Sequence, residues 1–175
     1  ALMLAGASIA QAGDQFEALP GSLRRVTFGG AAGITIPAGA PAVSDPVDFP
    51  VTSGMELVVS AALGSEFMNE ARGGAGFAIA PGDQVMQAAF GDVRTASGRP
   101  LVSGVQVRSD SETRVVVAFG DSITDGNRAV PRALHGWPEV LARRLALDEN
   151  GRQFTVVNAG IGGNRLLAPG WGSAA

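Results

Sequence analysis

Arg114-Val115-Val116-Val117-Ala118-Phe119-Gly120-Asp121-Ser122-Ile123-Thr124-Asp125-Gly126 is the stretch whose reading decides the fold. From Arg114 to Phe119 it is an almost unbroken apolar run with three successive valines. A strand with one wet face would alternate; a continuous run is what a strand buried on both faces of a parallel sheet requires. A turn follows, and then a helix is expected. Pro138 stands where a first helical position would be, Glu139 falls in the first turn, and Val140, Leu141 and Leu145 share one side. Gly151 punctuates its end. Phe154–Val157 is a second apolar strand, leading into the glycine-rich Asn158-Ala159-Gly160-Ile161-Gly162-Gly163-Asn164-Arg165. Strand, helix, strand makes one βαβ unit.

Upstream of this run the pattern changes. Leu23–Phe28, Gly33–Pro37, Met55–Ala62, Phe77–Ala80 and Leu101–Arg108 are short segments rich in Val, Ile, Leu, Phe and Thr. They are separated by turn clusters at Phe28–Gly30, Pro37–Pro41, Thr52–Gly54 and Arg72–Gly76. Short strands with regular Gly/Pro punctuation predict an all-β, sandwich-like domain. Alternation is clearest in Leu101–Arg108, which reads as a strand with one face on a core. Ala1–Ala12 reads as a strand entered from upstream and not as a targeting segment, since it has no basic n-region and Gly6 and Ser8 break its apolar run. The polar stretch Ser109–Thr113 looks like a linker. The expected organisation is therefore a β domain over residues 1–110, its start missing, and an α/β domain over residues 111–175.

Bulk properties narrow the class. The 175 residues are 46% hydrophobic and 17% charged, an ordinary globular composition. Sixteen acidic against thirteen basic residues leave a net charge of −3 with no basic run, so nothing favours nucleic acid or an anionic membrane surface. No stretch approaches the roughly 20 apolar residues of a membrane span. The absence of cysteine excludes disulfides and thiolate metal sites.

The chemistry gathers around Ser122. A serine just past the carboxyl end of a parallel strand lies where open α/β sheets place their ligand crevices. Gly120 permits a sharp exit from the strand, and Asp121 can accept hydrogen bonds from the turn's own amides. A serine hydroxyl is a weak nucleophile and needs a base and donors for an oxyanion. Gly, Asp and Ser are also the commonest turn residues, and the elbow Gly-x-Ser-x-Gly is not present, because Thr124 stands where its second glycine would be. The loop after the second strand opens on the same sheet edge, and its Gly160, Gly162 and Gly163 amides are candidate oxyanion donors. It reads equally as a flexible glycine loop. Asp125, Gly126 and Asn127 continue the first turn without the spacing of a calcium loop.

Gly-Asp-Ser-Ile-Thr after an apolar strand, Trp137-Pro138 opening a helix, and Val157–Arg165 after the next strand together resemble the SGNH (GDSL-type) hydrolase family over roughly residues 114–167. The resemblance implies a three-layer α/β fold, present here as its first βαβ unit only. Val26–Gly30, Ile34–Pro41 and Val43–Val47 look like the β-sandwich domain that precedes the catalytic domain in one bacterial subgroup. By resemblance Ser122 is the nucleophile and lends its amide to the oxyanion hole, Gly163 donates a second amide, and Asp121 and Asn164 support the two loops. The family's third oxyanion donor is the Asn of a Gly-x-Asn-Asp block, and its base is the His of an Asp-x-x-His block. Neither block occurs here. His135 is the only histidine, and Arg132, not Asp, stands three residues before it, which makes it a loop or rim residue and not the base. Arg165 lines the site or pairs structurally; the sequence does not choose.

The activity so implied is ester hydrolysis through a Ser122 acyl-enzyme on a small ester or acylated carbohydrate, of carboxylesterase, acetylesterase or lipase type. It needs no metal or organic cofactor. Base and acid would come from a missing C-terminal part. Two parallel strands leave apolar faces and edge groups uncovered, so a second polypeptide packed on this one is expected, with the tail Ala168–Ala175 as a plausible cleavage point. The alternative of another class is a non-catalytic β-sandwich module of carbohydrate-binding type attached to an inactive hydrolase remnant. Compartment stays open, the resemblance pointing towards a secreted or periplasmic protein.

Overall fold

A computed structural model describes residues 1–14, 16–64, 76–97, 101–110, 112–126, 136–146, 153–165 and 167. The chain divides into two compact units, one formed by Ala1–Met68 with Ala78–Arg94, the other by Asn69–Phe77 with Thr95–Ala175.

The first unit is built on β1 (Leu2–Gln11), with β2 (Arg24–Val26), β3 (Ile34–Ile36) and β4 (Leu57–Leu63) all antiparallel to it. Ala7 pairs with both Val26 and Ala61, and Leu4 with both Ile34 and Leu63, so β4 runs along one edge of β1 while β2 and β3 share the other. The amino-terminal segment is therefore the central strand of the sheet. Its small residues suit that place: Leu4, Ala7 and Ala10 are buried with Ala18, Val26, Ala62 and Val85. Ser8 is buried among them, and its hydroxyl donates to the Val85 carbonyl at 2.6 Å, which satisfies the one polar side chain in this part of the core. A register shift between Leu4 and Gly6 marks a bulge against β4.

The glycine punctuation behaves as expected. Phe28 and Ala31 exchange both backbone hydrogen bonds, 2.8 and 3.1 Å, around Gly29 and Gly30, each with positive φ (59° and 81°). That is the type I′ geometry which only glycine and a few polar residues enter easily. Asp45 closes over this turn: its carboxylate accepts from the Gly30 amide at 2.8 Å, the Thr27 hydroxyl at 2.7 Å and the Gly29 amide at 2.9 Å. The Val26–Gly30 and Val43–Val47 stretches thus meet through one carboxylate. These bonds, the Gly30 amide foremost, then Thr27 and Gly29, hold the Asp45 carboxyl below its usual range. A lowered folded value means the contribution is fully present above the unfolded value and lost as pH falls through the folded one. Asp45→Asn is accordingly expected to lower the thermal midpoint at neutral pH. The gap from wild type should close as pH falls below the ordinary carboxylate range, about 3.9. Thermal unfolding followed across pH checks both halves; an equal midpoint at pH 7 would remove Asp45 from the account.

β5 (Gly76–Ile79) and β6 (Arg94–Ser97) form a two-stranded sheet. Leu101–Arg108 is not a strand: it carries no ladder, and Leu101, Val102, Val105 and Val107 are 38–55% exposed. Alternation alone does not make a strand, because the backbone still needs a partner edge. Arg94–Ser97, with little apolar pattern, is a strand because β5 supplies one.

In the second unit β7 (Thr113–Gly120) and β8 (Gln153–Gly160) pair in parallel without a shift, from Thr113 opposite Gln153 to Gly120 opposite Gly160. The one-turn helix α1 (Ser122–Asp125) follows β7, and α2 (Trp137–Ala146) precedes β8. Trp137, not Pro138, is the first helical residue, and the Pro138 ring is fully buried in the first turn. The expected burial of both faces is not found: Ala118 is buried, while Val115, Val117 and Phe119, on the opposite face of β7, are 59–61% exposed, so the pairing is parallel but only one face is covered among the described residues. Gly151 and Arg72–Ala75 lie outside the described residues, as does the tail from Ala168 onward.

Candidate active site

Ser122 is the first residue of α1. Asp121 caps the helix from an extended conformation (φ −100°, ψ −152°), its side chain accepting from the Ile123 amide at 3.0 Å. Gly126 closes it in the left-handed region (φ 84°), its amide donating to the Ser122 carbonyl. Aspartate before the first turn and glycine after the last are the residues this geometry favours. The Ser122 side chain is half-buried, and its hydroxyl has no hydrogen-bond partner among the described residues.

The α1 turn rests on the end of β8. A Cβ built on Gly160 would overlap the Asp125 amide nitrogen and come within 2.7 Å of both Asp125 Cα and the Thr124 carbonyl carbon. Gly120, its ladder partner, faces Thr124 in the same way: a Cβ there would strike the Thr124 Oγ1 and approach its Cβ to 2.9 Å. The Ile161 amide donates back to the Gly120 carbonyl at 3.0 Å. Two glycines opposite each other thus let the loops after β7 and β8 lie against one another.

Ile161–Asn164 is a β-turn, the Asn164 amide donating to the Ile161 carbonyl at 3.0 Å with Gly163 at φ 78°. Positive φ at the third position is the type II pattern, which calls for glycine there. Every other amide of the loop is engaged: Gly160 with the Asn158 Oδ1 at 3.0 Å, Ile161 with Gly120, and Arg165 with the Asn164 Oδ1 at 3.1 Å. The Gly162 and Gly163 amides are the ones left without a protein partner among the described residues. Gly162 lies beside the Asp125 carboxylate, 3.6 Å from where its Cβ would be.

Residues 116–173, which hold this serine turn, α2, β8 and the glycine turn, match the family described as GDSL-like lipase/acylhydrolase. This segment belongs to that family. No curated protein matches the chain.

Of the residues singled out in sequence, the GDSL segment brings Asp121, Ser122, Gly163 and Asn164 onto two adjoining loops at one end of the β7–β8 pair. Arg165 is exposed, with no ion pair among the described residues. His135 and Asn127 lie outside the described residues.

Sequence reasoning passed over four residues that organise the site. Thr124 is buried, its Oγ1 accepting from the Trp137 indole at 3.2 Å. Asn158 donates through Nδ2 to the Thr124 carbonyl at 2.8 Å and to Glu139 Oε1 at 3.3 Å. The one signal for Asn158 was a carboxamide interrupting an otherwise apolar strand.

Proposed function

We propose that this chain carries the nucleophile and part of the oxyanion hole of a serine ester hydrolase acting on small esters or acylated carbohydrates. The packing of the Ser122 turn directly on Gly160 carries the reading. It sets a serine whose hydroxyl has no partner among the described residues beside a loop whose Gly162 and Gly163 amides are likewise free. In this proposal the Ser122 Oγ attacks the ester carbonyl carbon and its proton passes to a base. The charge that develops on the carbonyl oxygen is met by the Ser122 and Gly163 amides. The proton is then given to the departing alcohol, and water releases the acid from the acyl-enzyme by the same steps. Asp121 and Asn164 hold the two loops from within, through their contacts to Ile123 and Arg165.

The family resemblance assigns the base to a histidine in an Asp-x-x-His block and the third donor to an asparagine in a Gly-x-Asn-Asp block. Neither block occurs in residues 1–175, and this reading places both on further polypeptide. Residues 111–175 are then the opening βαβ unit of a three-layer α/β domain, and residues 1–110 its β-sandwich-like companion.

A fluorophosphonate probe tests the assignment. Peptide mapping is expected to find the adduct on Ser122 of the intact protein, with hydrolysis of short p-nitrophenyl esters lost in step. No adduct and no hydrolysis would turn the reading to the binding-module alternative.

A further inference from the structure

We propose that Asn158 is the positioning residue of this site, a carboxamide that locks the nucleophile turn to the glycine loop, with Glu139 fixing its orientation. Asn158 lies in β8 opposite Ala118. Its three hydrogen bonds reach three different elements. Nδ2 donates to the Thr124 carbonyl, in the helical turn that Ser122 begins, and to Glu139 Oε1, in the first turn of α2; Oδ1 accepts from the Gly160 amide, where the glycine loop leaves the strand. Only one orientation of the carboxamide satisfies all three, since a carbonyl and a carboxylate demand the nitrogen and an amide demands the oxygen.

Glu139 strengthens the case. Its Oε2 is buried with no hydrogen-bond partner among the described residues. A buried carboxylate oxygen without a partner is costly, and a simple packing role would be filled better by an apolar side chain. What the carboxylate adds is a second acceptor for Nδ2, which prevents the carboxamide from turning over. The Gly120–Gly160 contact brings the loops together; the Asn158 carboxamide sets how far the Thr124 carbonyl, and with it the start of α1, stands from Gly160.

Asn158→Asp is the sharpest test, because it keeps the shape and replaces the donor with an acceptor. At neutral pH a carboxylate oxygen would then face the Thr124 carbonyl and the Glu139 carboxylate. The loops are expected to separate, and kcat on a p-nitrophenyl ester to fall about 10²-fold, the scale of an ångström misplacement, with KM little changed. Two carboxylates this close raise the pKa of one of them. The variant should therefore regain activity relative to wild type as pH falls and a shared proton restores an O–H donor. Asn158→Asp/Glu139→Gln should lose that acid recovery. A merely structural role would lower the unfolding midpoint without creating a new pH limb.

The kinetic arm rests on the ester-hydrolase reading; hydrogen exchange does not. Peptides covering residues 120–126 and 158–165 are expected to exchange faster at pH 7 in Asn158→Asp than in wild type. If that variant does not fold, Glu139→Ala should accelerate exchange in the 120–126 peptide, to which it contributes no residue. If the intact wild-type protein, further polypeptide included, proves inactive, the hydrolase reading falls and exchange alone decides the positioning role. Wild-type exchange in both peptides, or Asn158→Asp activity equal to wild type at pH 7, overturns the proposal.

Discussion

Ser122→Ala is expected to lower ester hydrolysis by about 10⁶-fold while leaving the protein folded, the scale on which removing a nucleophile acts in serine hydrolases. The kinetic and structural halves of this expectation have separate grounds. Without Oγ no acyl-enzyme forms, and the catalysis left over comes from oxyanion donors and binding, about 10³–10⁴ above water. The fold loses little, because the Ser122 hydroxyl has no hydrogen-bond partner among the described residues. Its backbone carbonyl, which accepts from the Gly126 amide, is unaffected by the change. Alanine also enters a helical turn at least as readily as serine, so the unfolding free energy should stay within about 0.5 kcal/mol of wild type, the ordinary range for a substitution away from special features. Steady-state hydrolysis together with a thermal melt makes the check. Activity within tenfold of wild type would move the nucleophile elsewhere in the protein. A collapsed melt would mean that the hydroxyl holds the turn, and the kinetic loss would then carry no information about chemistry.

What could be read before the structure followed from how local each signal is. Arg114–Phe119 announced a strand, and its pairing with Gln153–Gly160 is parallel as expected; the burial on both faces expected with it is not found, since Val115, Val117 and Phe119 are 59–61% exposed. The turn glycines at Gly29, Gly30, Gly39 and Gly54 announced themselves through chemistry held within four residues, and all four have positive φ. Non-local facts were not legible. Leu2–Gln11 was readable as a strand, but its central place depends on partners up to sixty residues away. Leu101–Arg108 alternates correctly and has no ladder, while Arg94–Ser97 scarcely alternates and has one. At the site, Ser122 and the glycine loop lie just beyond two apolar strands, but turn chemistry alone left them open, and it was the resemblance of the two blocks together to the SGNH family that singled them out. The contact between Asn158, Thr124 and Glu139 spans 34 residues, and no spacing rule points to it. The amphipathic pattern of α2 explains the half-burial of Val140, Leu141 and Leu145 but says nothing of the carboxylate in its first turn.

Gly160→Ala is the second large effect, and here two opposing terms must be weighed. Adding a methyl where φ is not positive ordinarily stabilises a protein by about 0.4–1 kcal/mol, since the unfolded chain has fewer states to lose. Gly160 is not among the positive-φ glycines, so that gain is available in principle. Sterics oppose it. The new Cβ would stand 2.7 Å from Asp125 Cα and the Thr124 carbonyl carbon, and closer still to the Asp125 nitrogen. All three are backbone atoms of α1, so no rotamer change relieves them; the helical turn itself has to move. Overpacking of this kind costs about 1–3 kcal/mol, which outweighs the entropic gain. A turn displaced far enough to admit the methyl shifts Ser122 relative to the glycine loop by a good fraction of an ångström. On the scale of about 10²-fold for a 1 Å misplacement, kcat is expected to fall to near that extent, with the melt lowered as well. Gly104→Ala provides the contrast in the same unit: its Cβ meets nothing within 4 Å, and both activity and stability should be unchanged. If Gly160→Ala behaved like Gly104→Ala, the α1 turn would not rest on β8 in solution, and the contact between the turn that Ser122 begins and the glycine loop, on which the esterase reading depends, would go with it.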